Sequence, residues 1–264
     1  MNESLHPLGL ASKTFPATPP ARLIEIAREA GFGHIGISVD PREWDASMTR
    51  QIRRQAMNCA IDVLDVEAVR IRSRRLGDEA AMVLEVAAEI GARFVLVIGH
   101  DADMEATAEA FRELCGEADK LGLEAALEFM PFRGVATLRD ALQVVSVAGH
   151  AAGSLLVDNH HLARAGATPA DLAGVPPGRL AYAQLCDVPA SASSQLSPEA
   201  IMQEALERRT LPGAGSLPCR EFVAALPPGT PISLEILGTR VRAGYASDLE
   251  YAVALRNAAL RVMH

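Results

Sequence analysis

Four polar side chains, each isolated in an otherwise apolar run, carry the chemistry of this sequence: Glu128 in LEAALEFMP, Asp158 in SLLVDNHH, Gln184 in LAYAQLCDVP and Glu235 in ISLEIL. An unpaired carboxylate buried in such a run is strongly unfavourable or gives up its charge. Something must compensate, and one divalent cation shared by all four groups would do so. Oxygen ligands suit Mg²⁺ or Mn²⁺, and carboxylates also tolerate Co²⁺ or Zn²⁺.

Strand phase explains how they would meet. Side chains alternate along a strand, so Leu127 and Phe129 share the face opposite Glu128. Leu155 and Val157 oppose Asp158 in the same way, Ala183 and Leu185 oppose Gln184, and Leu234 and Ile236 oppose Glu235. In a closed barrel the apolar face packs on the helices, which turns the polar groups into the interior near the catalytic mouth. Taken singly, each is as readily a hydrogen-bonded residue at a strand end. One on each of four successive strands favours a shared ion.

The elements that must position them recur about eight times as short apolar runs followed by segments of helical period, the pattern of parallel strands joined by helical crossovers. The strand candidates are LHPLGLAS, HIGIS, IDVLDVEAV, RFVLVIG, LEAALEF, SLLVD, LAYAQLCDV and ISLEIL. The expected fold is therefore α/β, a (β/α)₈ TIM barrel forming one domain over residues 1–264. GFGHIG, at Gly31 to Gly36, precedes its strand and opens no helix, so it is not a dinucleotide-binding turn. The closing segment DLEYAVALRNAALRVM places Leu249, Ala252, Val253, Ala259, Leu260 and Met263 near a 3.6-residue period, with Arg256 laying its stem along that face and its head in water. Residues 190–217 break the rhythm and read as a long loop over the site, containing the Pro212-Gly213-x-Gly215 turn.

Composition narrows the partners. Hydrophobic residues at 49% and charged residues at 22% describe a globular chain, and a formal charge of −8 without a basic, aromatic-interleaved run opposes nucleic acid. Cys59, Cys115, Cys186 and Cys219 have no CxxC spacing and read as reduced thiols in a cytoplasmic protein. Neither a signal peptide nor a span of about 18 apolar residues is present, so no membrane association is expected.

Across residues 124–237, LEFMPF, LLVDNHHLARAG, AQLCDVP, RTLPGAGSL and LEI resemble, in order, the sugar phosphate isomerase/epimerase superfamily, the xylose-isomerase-like or AP-endonuclease-2-type TIM barrels. That resemblance implies metal ligands at Glu128, Asp158, Gln184 and Glu235, and Gln184 in place of the His of many relatives is similar to the hydroxypyruvate-isomerase and 3-dehydroshikimate-dehydratase branches. An all-oxygen set then favours Mg²⁺ or Mn²⁺. The resemblance also implies a proton-transfer role for His161, with His160 structural, and places Arg209 near a substrate oxygen or phosphate, with Arg208 its competitor. The DNA-repair relatives bind three zinc ions through many His, whereas this chain has seven His in all, few of them at matching strand ends.

The implied activity is a metal-dependent isomerisation or epimerisation of a sugar or hydroxyketo acid through an enediolate, with Glu128 and Glu235 removing and returning the proton. Two alternatives stand beside it: a dehydratase of the 3-dehydroshikimate type with His161 as base, and a noncatalytic ligand-binding barrel. Glu67 and His100, near the ends of strands three and four, are substrate-contact candidates, and Asp65 is a deeper structural partner of Glu67. His34 belongs to the opposite, stability face, and Trp44 and Cys186 read as packing residues. Family members are often dimers or tetramers, so a homo-oligomer is compatible with this reading.

Overall fold

The structure is a computed structural model describing residues 6–190 and 196–264. Eight parallel strands close into a barrel in chain order: β1 (Leu8–Ala11), β2 (His34–Ser38), β3 (Asp62–Ile71), β4 (Phe94–Gly99), β5 (Glu124–Glu128), β6 (Gly153–Asp158), β7 (Leu180–Leu185) and β8 (Ile232–Leu234). Pairing of β1 with β8 shuts the ring. Helices α1 (Pro20–Ala30), α2 (Ala46–Cys59), α3 (Asp78–Ile90), α4 (Met104–Lys120) and α5 (Leu138–Ala148) follow the first five strands. The later crossovers carry α6 (Asn159–Arg164), α7 (Pro198–Glu207), α8 (Cys219–Ala225), α9 (Thr239–Arg242) and α10 (Asp248–Met263). Local sequence sets these boundaries: Asp45, Asp103, Thr137, Ser197 and Ser247 cap helix N-termini with their side chains. At the other end α1 stops at Gly31 with φ 88°, a left-handed conformation that glycine adopts without a Cβ clash.

Burial separates into two layers, as strand phase requires. Leu127, Phe129, Leu155, Val157, Ala183, Leu185, Leu234 and Ile236 join the core between barrel and helices. Ala126, Leu156 and Tyr182, in phase with Glu128, Asp158 and Gln184, belong to a smaller core inside the barrel, where Phe94 and Tyr182 stack at 5.3 Å. This apolar plug closes the barrel beneath its C-terminal mouth and confines the polar groups to a layer above.

Two expectations need correction. The stretch expected as a long loop holds helix α7, which starts at Pro198 behind the Ser197 cap; residues 191–195 lie outside the described residues. On α10 the buried face is Tyr251, Ala252, Leu255, Ala258, Ala259 and Val262, while Val253 is exposed. Tyr251 decides that rotation by packing its ring on Phe15 at 5.2 Å, and Arg256 donates to the Gly31 carbonyl at 2.9 Å at the exposed edge of the helix. Among the described residues, no helix is long and apolar enough to cross a membrane.

Candidate active site

A cavity of about 490 Å³ opens at the C-terminal mouth, walled by Lys13, Glu67, His100, Glu128, His161, Arg209 and Glu235 among others. Asp158 and Gln184 lie just beneath it. These acidic groups and Gln184 are buried: Glu128 and Asp158 end their strands, Glu235 follows β8, Gln184 lies one residue before the end of β7, and Glu67 lies within β3.

Asp158 ends β6 and caps α6. Its Oδ1 accepts the His160 and His161 backbone N–H groups at 2.7 and 3.2 Å, which leaves Oδ2 to face the neighbouring strands. Arg209 meets it there: one guanidinium nitrogen, Nη1, lies 2.8 Å from Asp158 Oδ2 and 2.9 Å from both Glu235 Oε2 and the Glu235 carbonyl. A guanidinium NH₂ has two hydrogens, so this point is ringed by one more oxygen than its donors can serve. Arg209 Nε, also buried, has no partner.

Charge is equally unbalanced. Asp65, Glu67, Glu128, Asp158 and Glu235 crowd one layer, and the cations ion-paired to them among the described residues are Lys13 and Arg209. Burial, reinforced by Glu235 and Asp158, pushes the Glu128 carboxyl well above the ordinary range. Burial also raises Glu235, to about 7, against the opposing pull of Arg209. For Asp158, Arg209 and the nearby histidines together with the α6 N–H groups outweigh burial and hold the carboxyl at about 2. Glu128 Oε1 and Gln184 Oε1 are buried acceptors without a hydrogen-bond partner. Excess buried anions, orphaned oxygens and an over-coordinated cation position are what a hard divalent ion would resolve, so the donor set of Glu128, Asp158, Gln184 and Glu235 fits one.

A second cluster, Asp158, His160 and His161, brings ligand atoms within 4.8 Å of one another. Its atoms are already engaged: Asp158 Oδ1 caps α6, and His160 Nε2 lies 2.9 Å from Glu204 Oε1. His161 is buried and faces the cavity, with Nε2 3.7 Å from Glu128 Oε1, beyond hydrogen-bond range, and the Phe132 ring edge-on at 5.5 Å. Burial lowers its basicity to about 3 and keeps the imidazole neutral.

Glu67 carries Lys13, whose Nζ is 2.5 Å from Oε2, and Asp65 sits deeper, its carboxyl raised by burial and by Glu67. His100 reaches the wall with an unpartnered Nε2, its basicity lowered to about 4 by burial and by Arg133, Arg72 and Arg70. His34 starts β2 at the far end, as expected, and Trp44 donates to Thr49 Oγ1 at 2.9 Å in ordinary packing. Arg208 is exposed at the end of α7, which removes it as the competitor of Arg209.

The glycine N–H groups of the Pro212-Gly213-x-Gly215 turn are taken by one aspartate. Gly213 and Gly215 N–H groups donate to Asp187 Oδ2 at 3.0 and 2.9 Å, while Val188 and Leu217 N–H groups donate to Oδ1 at 2.8 and 2.9 Å. Asp187 is thus a strut between the end of β7 and the segment returning to α8, and a Cβ on Gly215 would lie 2.1 Å from the Val188 carbonyl. Sequence reasoning missed Asp187, Glu204, Lys13 and the cavity-lining Arg70 and Arg133. Lys13 had a signal, its place just after β1 at the catalytic end. Asp187 and Glu204 had none, because their partners lie far away in the chain.

The profile described as xylose isomerase-like TIM barrel matches residues 24–255. Among curated proteins, the 3-dehydroshikimate dehydratase of Pseudomonas putida is 26% identical over 250 residues, covering 89% of this chain; the chain spans 38% of that relative's length. Solved structures show the same fold: the IolI protein with a bound zinc atom (17% identity, TM-score 0.80, 97% of each chain) and a D-psicose 3-epimerase from Clostridium cellulolyticum H10 (15%, 0.74, 97% of this chain and 99% of that one).

Proposed function

Because this chain belongs to the xylose isomerase-like TIM barrel family, we propose that it is a divalent-metal-dependent dehydratase acting on a cyclic hydroxyketo acid of the 3-dehydroshikimate class. Glu128, Asp158, Gln184 and Glu235 would hold one ion, Mg²⁺ or Mn²⁺ by their all-oxygen character. When bound, the ion acts as a Lewis acid toward the substrate carbonyl and acidifies the neighbouring carbon.

His161 then has a defined task. Its imidazole is neutral and faces the cavity, so Nε2 accepts the α-proton. Its weak basicity requires that carbon to be strongly acidified. The protonated ring returns the proton to the departing β-hydroxyl, which leaves as water, and His161 is restored. The Phe132 ring beside it excludes solvent from that exchange.

The observation that carries the acid substrate over a neutral sugar is the division of the cavity by charge. Glu67 and Glu235 line it with Lys13 and Arg209 ion-paired to them, and Glu128 lies beside them, whereas Arg70 near the end of β3 and Arg133 after β5 line it beside the uncharged His100 with no carboxylate ion-paired to them among the described residues. A substrate carboxylate on these two arginines would leave the ring's hydroxyl and carbonyl oxygens toward the acidic groups. The curated P. putida relative supports the same choice.

A ketose epimerase is the second reading, favoured by Glu235, which at about 7 is poised to give and take protons. Incubating the purified protein with Mn²⁺ and 3-dehydroshikimate, beside a panel of ketoses, separates them. An aromatic absorbance that depends on added metal supports the dehydratase; ketose conversion alone replaces it with the epimerase. Absence of both, together with no solvent deuterium uptake, removes the enolate chemistry altogether.

A further inference from the structure

Lys13 and Glu67 line the cavity as an ion pair apart from the four proposed ligands, with Nζ 2.5 Å from Oε2. The surrounding backbone fixes both. Lys13 sits in the turn Ser12–Thr14 that follows β1. Ser12 Oγ accepts from the Ser38 N–H at 2.7 Å, while Thr14 Oγ1 donates to the Leu234 carbonyl at 3.2 Å and accepts from the Ile236 N–H at 3.0 Å. These bonds tie the turn to the ends of β2 and β8 on either side of the lysine. Glu67, on β3, pairs in register with the same Ser38 and is buried.

What the pair leaves unsatisfied points to a ligand. Glu67 Oε1 is a buried acceptor with neither a hydrogen bond nor an ion pair. An ammonium has three N–H donors, and the carboxylate ion-paired to Lys13 among the described residues is Glu67 alone, so donors are left over. The two charges cancel, which makes the pair a poor partner for a substrate carboxylate and a matched one for a hydroxyl. A hydroxyl has a proton for Oε1 and lone pairs for Nζ. A carbonyl would leave Oε1 stranded, and a second carboxylate would be repelled by it.

We propose that Lys13 and Glu67 together recognise a hydroxyl on the substrate ring, which accepts from Lys13 Nζ and donates to Glu67 Oε1. Barrel order sets the side of the cavity. In a ring of eight strands β1 lies opposite β5, so Lys13, after β1, stands across the mouth from Arg133, after β5. A cyclic acid with its carboxylate at Arg133 brings the oxygens on the far side of its ring to the pair, and the two contacts together fix which end of the ring lies where.

This inference rests on the reading of the substrate as a cyclic hydroxy acid, and its test is binding, not turnover. Calorimetry on the whole protein at saturating Mn²⁺ compares shikimate, a trihydroxylated cyclohexene carboxylate, with cyclohex-1-ene-1-carboxylate, which keeps the carboxylate and has no hydroxyl. In Lys13→Met/Glu67→Met, which removes both charges together, shikimate should bind about 10- to 100-fold more weakly, the worth of hydrogen bonds to charged groups. The hydroxyl-free acid and Mn²⁺ itself should each stay within about twofold. Lys13→Gln, which keeps an N–H group for Glu67, should shift shikimate affinity in the same direction and serves where the double variant does not fold. Equal loss of both acids, loss of neither, or a parallel fall in Mn²⁺ affinity overturns the inference, since the pair would then act on the fold or on the ion site. Wild type that binds neither acid overturns it together with the substrate reading. A selective loss of shikimate, in a protein that makes no aromatic product from 3-dehydroshikimate, would count against the dehydratase and leave the hydroxyl site standing.

Discussion

Replacing Glu235 with Gln should stabilise the ion-free protein at alkaline pH, the reverse of what removing an ordinary buried ion pair does. Glu235 is buried, and although Arg209 Nη1 lies 2.9 Å from its Oε2, the carboxyl is pushed from 4.5 to about 7. Between those two values the folded chain binds a proton that the unfolded chain has released, so stability falls as pH rises through that window. Fully ionised, the group costs the fold about 3 kcal/mol, net of the attraction to Arg209. The amide carries no charge to desolvate and can still accept from Arg209, so Glu235→Gln recovers up to that amount. For a domain of this size it corresponds to a rise in Tm of about 6 to 10 °C. Thermal unfolding followed by circular dichroism in EDTA, from pH 5 to pH 8.5, tests it. Wild type should lose stability across the range, the variant should show a shallower slope, and the two should diverge most at pH 8. Saturating Mn²⁺ at pH 8 should reverse the order, because only wild type offers the full carboxylate set. A variant that melts below wild type at pH 8 in EDTA, or that keeps the wild-type slope, would refute the charge-crowding argument.

Three other outcomes follow from the same geometry. If His161 accepts the proton and is not a metal ligand, His161→Gln should lower kcat about 10²- to 10⁴-fold while calorimetric Mn²⁺ affinity stays within about twofold; a parallel loss of affinity would make it a ligand. Arg133→Gln should raise KM for the hydroxyketo acid about tenfold and leave any turnover of a neutral ketose unchanged, as steady-state kinetics would show. Asp187→Ala strands four backbone N–H groups and should lower stability by about 3 kcal/mol or more in chemical denaturation; a near-neutral effect would mean that the strut carries no load.

The barrel was legible because its signals are local and repeated. Alternation placed Leu127 and Phe129, Leu155 and Val157, and their counterparts on the outer core, and the inward direction of Glu128, Asp158, Gln184 and Glu235 followed from period alone. What escaped depends on contacts across the chain. The α10 face turned on Tyr251 packing against Phe15, and the glycine turn on an aspartate whose partners lie up to 30 residues away. Arg209 could be assigned to the site by resemblance, but its burial between Asp158 and Glu235 could not, because no pattern in the sequence says which cation meets which pair of strands. Glu204 reads as one more polar residue of an amphipathic helix until His160 is seen beside it.

Anomalous diffraction from crystals grown with Mn²⁺ tests the central claim most directly. The account predicts one strong manganese peak in the polar layer of the mouth, ligated by oxygens of Glu128, Asp158, Gln184 and Glu235, with Arg209 Nη1 moved off the point it now shares with Asp158 and Glu235. A peak ligated instead by His160 and His161, or no peak at saturating manganese, would contradict it.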